Sequence, residues 1–175
     1  MGFFQRKKIE RIKQGFITTQ RTISEELRGC KIVKDVDFES SVFLFFLALY
    51  RFHSDPIIND LQKELSLLVS QHCKSIEQSE LIESRLDLYT KICIGEMSPR
   101  GFWLLSEPKE GSFSVAKICC MTAFGDVLVL PDCVDDYSAC PFPIIDIFEL
   151  TEFVSIFTGK VWDSYSSYLI GIGLK

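Results

Sequence analysis

The chain has 175 residues, of which 47% are hydrophobic and 13% aromatic, and its net charge is −5. That length is one domain's worth and can bury a full core, and the apolar and aromatic content excludes a disordered chain. The negative charge argues against non-specific capture of nucleic acid by the whole domain and leaves room only for a local basic patch.

The first element expected is a helix over 3–28. Ile9, Ile12, Phe16, Ile23 and Leu27 recur at near-helical spacing, and Gly29 follows as a stop. Arg6, Lys7, Lys8, Arg11 and Lys13 cluster on its first turns. A secretory signal would need an apolar run of about 7–15 residues after such charges, and none is present. Gly2 invites a myristoylation reading, but Arg6 stands where that signal wants Ser or Thr.

The stretch "SVFLFFLALYRFHSDP" holds nine apolar residues in a row, Val42 to Tyr50. As a helix they cover roughly 14 Å, well short of a bilayer core of about 30 Å. Glu39, Arg51 and Asp55 bound the run. A helix apolar on all sides belongs in the centre of a domain, so 38–53 is read as the central core helix.

Asp55 and Pro56 mark the start of a third helix. The carboxylate accepts orphan backbone N–H groups, and proline at the first helical position loses no hydrogen bond. Ile58, Leu61, Leu65, Leu68 and Val69 make its apolar face. Ser75 opens a fourth helix with Gln78 in capping-box position; Ile82, Leu86, Tyr89 and Cys93 form its stripe, and Gly95 ends it.

After "GEMSPRG" the pattern changes. Residues 102–106, 112–123 and 127–130 are short apolar runs separated by "EPKEG" and "FGD", which reads as an antiparallel meander. The loop "PDCVDDYSACPFP" leads to a helix over 147–158, stopped by Gly159. In 160–175 serines and glycines weaken a helix and the aromatics favour a strand for part of the segment. The expected fold is a single α+β domain over 1–175, with a possible division into 1–96, helical, and 97–175, mixed. It has an N-terminal bundle of about four helices, then a small antiparallel sheet and one or two C-terminal helices.

Chemistry-bearing motifs are weak. The seven cysteines (30, 73, 93, 119, 120, 133, 140) are odd in number and irregular in spacing, and are read as reduced thiols in a cytoplasm. Cys119 and Cys120 are the candidate nucleophiles, but the two histidines, His53 and His72, lie on other elements. No pair has the close spacing of a zinc site, "DCVDD" lacks the glycine and terminal glutamate of a calcium loop, and "GIG" is too short for a phosphate cradle. No catalytic residue, metal or cofactor is expected.

Charge asymmetry is the strongest signal. Residues 1–35 carry nine basic and four acidic side chains, a net of +5, and residues 131–175 carry two basic and seven acidic, a net of −5. The acids are interleaved with Tyr137, Phe142, Phe148, Phe153, Trp162 and Tyr165. Charge steers encounters and aromatics anchor them. The expected function is a non-catalytic cytoplasmic binding protein, an inhibitor of the immunity-protein kind that neutralises a basic nuclease-type toxin. Its contact residues would be Asp132, Asp135, Asp136, Tyr137, Glu149 and Glu152. The alternatives are a small cysteine-dependent enzyme using Cys119 or Cys120, and an adaptor that binds anionic lipid or nucleic acid through the basic N-terminal helix.

Overall fold

Helices account for 85% of the residues described by the computed structural model, which are 2–26, 28, 35–93 and 164–173. In chain order they are α1 (Phe3–Glu26), α2 (Val36–Arg51), α3 (Ile58–Ser70), α4 (Ile76–Cys93) and α5 (Ser167–Gly173). No strand occurs among the described residues, so the α+β class is corrected to a helical assembly there. The expected strands at 102–106, 112–123 and 127–130 and the expected helix at 147–158 lie outside the described residues.

The helical bundle forms around α2, which packs against α1, α3, α4 and α5. Every residue from Phe38 to Ala48 is buried, whereas Tyr50 has emerged to half exposure. Burial on all sides is what a run apolar on every face demands. The helix starts two residues earlier than expected because Asp35 caps it: its carboxylate accepts the Phe38 N–H at 3.3 Å. Asp35 also takes Gln78 Nε2 at 2.6 Å and Lys74 Nζ at 3.0 Å, tying the start of α2 to the start of α4.

Three polar residues enter this buried helix, each with partners. Ser40 Oγ donates to Gln20 Oε1 at 2.9 Å, and Gln20 Nε2 donates to the Asp37 carbonyl at 3.1 Å, which joins α1 to α2. Ser41 Oγ returns to the Phe38 carbonyl at 2.7 Å. Glu39 receives Arg85 of α4 through Nε and Nη2, at 3.1–3.3 Å. Satisfied groups of this kind cost little to bury, and orphaned ones would cost about 1–3 kcal/mol each. Around them the apolar core closes: Phe43 and Phe46 each set an edge-to-face contact with Tyr89 of α4, at 5.3 and 5.4 Å.

The outer helices are amphipathic. Ile9, Ile12, Phe16 and Ile23 of α1 are buried, as are Leu61, Leu65 and Val69 of α3. Both stripes follow the spacing read from the sequence, although Ile58 and Leu68 are only half-buried. The start of α3 shifts. Asp55 Oδ1 accepts the Ile57 N–H at 3.1 Å and the Asp55 carbonyl accepts the Ile58 N–H at 3.0 Å, so Asp55 and Pro56 build a turn ahead of the helix. At α4 the capping box forms with a displaced arm. The Gln78 N–H donates to Ser75 Oγ at 3.2 Å, while Gln78 Oε1 reaches the N–H of Lys74 at 2.6 Å.

The strand preference in the last stretch is overturned over 164–173. This segment is a wide helical turn, 164–166, running into α5. Its buried residues are Tyr165, Leu169 and Ile172, which fall on a helical stripe and not on alternate positions. α5 packs on α1 at Gly15. A Cβ there would stand 2.3 Å from Tyr168 Cε1, so an alanine would push the ring aside. The Tyr168 hydroxyl donates to the Arg11 carbonyl at 2.9 Å.

Candidate functional site

The six contact residues expected from the sequence, Asp132, Asp135, Asp136, Tyr137, Glu149 and Glu152, all lie outside the described residues. Cys119 and Cys120 do as well. Of the aromatics expected on the acidic surface, Tyr165 is a core residue: it is fully buried, and burial pushes its phenol well above the ordinary value. It serves packing and not capture.

The basic face of α1 is described. Its five early cations divide into two sets. Lys8 and Lys13 turn toward the body of the molecule. Lys8 Nζ bonds Asp55 Oδ2 at 2.6 Å and lies 5.1 Å from the centre of the Phe52 ring. Lys13 Nζ bonds Glu64 of α3 at 2.8 Å and Glu10 at 3.2 Å. The hydrogen bond that Lys13 donates to Glu64 raises the Lys13 pKa, burial opposes it, and Glu10 adds to the rise. For Asp55, burial pushes upward, but the Lys8 ammonium and the Ile57 N–H together outweigh it and hold the carboxyl below its ordinary value. These two lysines therefore pin α1 to the α2–α3 turn and to α3.

Arg6, Lys7 and Arg11 are exposed and make no ion pair among the described residues. Beside them stand two exposed aromatic rings. Phe3 is 67% exposed and Phe4 84%. The rings meet edge to face at 5.9 Å, and Lys7 Nζ sits 5.0 Å from the centre of Phe3. The first turn of α1 contains no acid, and its backbone N–H groups add partial positive charge. Behind Phe4 a groove of about 380 Å³ runs between α1, Pro56 and Ile172.

Comparison with known proteins adds no relative. No family model, curated protein or solved structure matches the chain. The reading of function therefore rests on its residues alone.

The remaining described groups are modest. A second groove of about 370 Å³ lies between α1 and α3, with Phe16, Ile17 and Leu68 as walls and Arg21 and His72 at its edge. His53 is exposed, with Nδ1 2.8 Å from the Tyr50 carbonyl. Cys73 is half-buried, and its thiol faces the Val69 carbonyl at 3.7 Å. Among the described residues no group of three His, Cys, Asp or Glu side chains could hold a metal ion, and no helix is long and apolar enough to cross a membrane.

Sequence reasoning located the basic cluster but treated its members alike. The signal for separating them was present in outline. The buried stripe of α1 is Ile9, Ile12, Phe16 and Ile23, and at about 100° per residue Lys8 and Lys13 flank that stripe more closely than Arg6, Lys7 or Arg11 do. Their acidic partners on other elements, Asp55 and Glu64, are 47 and 51 positions away and carry no local mark. The exposure of Phe3 and Phe4 was not read at all.

Proposed function

We propose that the chain is a non-catalytic binding protein that neutralises a basic, nuclease-type partner in the cytoplasm. The observation that supports this reading is the concentration of acid and aromatic residues in 131–175, where seven acids stand against two lysines. A basic protein that handles nucleic acid presents cations spaced for phosphates, and carboxylates set among aromatic rings compete for the same surface. Asp132, Asp135, Asp136, Glu149 and Glu152 would steer the encounter, and Tyr137 would anchor it. The use of Lys8 and Lys13 in internal ion pairs supports the reading in a second way. It removes two cations from the surface that would otherwise compete for the chain's own acidic segment.

The test is co-expression with a basic nuclease-type toxin domain captured by the chain from its native host, followed by binding kinetics of the purified pair. Growth should be rescued. Asp135→Lys with Asp136→Lys should slow association and flatten its salt dependence, and Tyr137→Ala should speed dissociation about tenfold. Unchanged rates in both variants would make the acidic segment ordinary surface and end the proposal.

A further inference from the structure

The outward face of α1 has a composition that neither the core nor the acidic segment explains. At about 100° per residue, positions 3, 4, 6, 7 and 11 fall within an arc of roughly 160°, on the side of the helix away from Ile9, Ile12 and Phe16. The face therefore combines two exposed rings with three cations that make no ion pair among the described residues. Glu10 shares it and is bridged to Lys13. Exposed phenylalanine is costly in water, and a single isolated ring on a surface needs no explanation, but an adjacent pair beside a cation cluster does.

We propose that this face docks on an anionic lipid surface. Phe3 and Phe4 enter the boundary between headgroups and acyl chains, and Arg6, Lys7 and Arg11 meet the phosphates. The chemistry suits the division of labour at an interfacial helix, where apolar area supplies depth and basic residues supply attraction to anionic lipid. The first turn adds no acid to oppose it, and its N–H groups add favourable partial charge. Lipid fits better than nucleic acid. Both rings lack hydrogen-bonding groups, and Phe3 already has Lys7 near one face, which leaves less of that ring for stacking on a base. Contact by this one face leaves the core of α1 undisturbed, since its buried stripe points the other way.

This site is separate from the acidic segment of the preceding section, and a failure of one leaves the other standing. The experiment is co-sedimentation of the full chain with vesicles of phosphatidylcholine alone and with an equimolar mixture of phosphatidylcholine and phosphatidylserine. A single-stranded RNA oligomer, read by anisotropy, is the third probe. The expected result is association with the mixed vesicles, loss of it on raising salt, and none with phosphatidylcholine alone. Phe3→Ser with Phe4→Ser should weaken it by about tenfold or more, and Arg6→Gln, Lys7→Gln and Arg11→Gln together should remove the preference for the anionic lipid. Melting curves should match the wild type in both cases, because the changed side chains are exposed. Asp135→Lys with Asp136→Lys should not weaken vesicle binding. Absence of association, equal association with both vesicles, or association untouched by either variant would overturn the proposal. RNA binding that these variants weaken, without vesicle binding, would overturn it in favour of nucleic acid.

Discussion

α1 and α2 lie side by side, yet their sequences meet water in opposite ways. α2 is buried around its whole circumference from Phe38 to Ala48, and its polar residues survive there by bonding to neighbours. α1 buries one stripe and leaves the opposite face to Phe3, Phe4, Arg6, Lys7 and Arg11. The difference separates two jobs. A residue on α2 acts on the stability of the whole bundle, and a residue on the outer face of α1 acts on what the bundle touches.

The sharpest way to break that comparison is Phe43→Ala. The side chain is fully buried between Phe46 and Tyr89, and its loss removes transfer energy and leaves a cavity. The expected cost is about 3–5 kcal/mol in denaturant unfolding, a large part of the total for a domain. A cost under about 1 kcal/mol would mean that the centre of the bundle lies elsewhere.

Arg85→Met comes next. It takes the guanidinium from a Glu39 carboxylate whose side chain is only 6% exposed. About 3 kcal/mol of destabilisation is expected, and Glu39→Gln with Arg85→Met together should recover part of it. Simple additivity of the two changes, measured in a double-mutant cycle, would show that the pair does not act as a unit.

The smallest of the three effects belongs to Asp55→Asn, which keeps the oxygen facing the Ile57 N–H and removes the charge facing Lys8. The folded carboxyl lies below its unfolded value of 3.8, so folding favours the ionised form. Its contribution is present above that value and is lost as pH falls through the lower, folded one. Near neutral pH the substitution should cost about 0.5–1 kcal/mol, and the gap from wild type should close in acid. A gap that stays constant into acid would show that the ion pair contributes nothing.

The same contrast governs what was legible in the sequence. α2 was readable because nine consecutive apolar residues admit few other fates in a chain too short there to cross a bilayer. Its start was displaced because Asp35, Asp37 and Glu39 make the opening turn polar, ahead of the unbroken apolar run that begins at Val42. Helix α5 was missed for a compositional reason. Ser166, Ser167, Gly171 and Gly173 depress helix propensity, and only the stripe of Tyr165, Leu169 and Ile172 carries the period. Packing on α1 overrides that propensity, and packing is not visible in a local window. In the candidate site, the charges were legible and their roles were not. Whether a lysine is spent indoors, as Lys8 is, or left outside, as Lys7 is, depends on an acid supplied by a distant turn.

The seat of Tyr168 on Gly15 has a consequence in time. The hydroxyl of Tyr168 and the carbonyl it meets are 157 positions apart in the chain. At a ribosomal pace of about 5–20 residues per second, α1 waits roughly ten to thirty seconds between its own synthesis and the arrival of the ring that covers Gly15. Through that interval α1, α2 and α3 are already made, with contacts local enough to form early, while the notch at Gly15 stands open. Closure of so long a loop is then the late step, and the entropy it must overcome grows only slowly with length. The patch of α1 that Tyr168 covers is thus among the last parts of the described bundle to be closed.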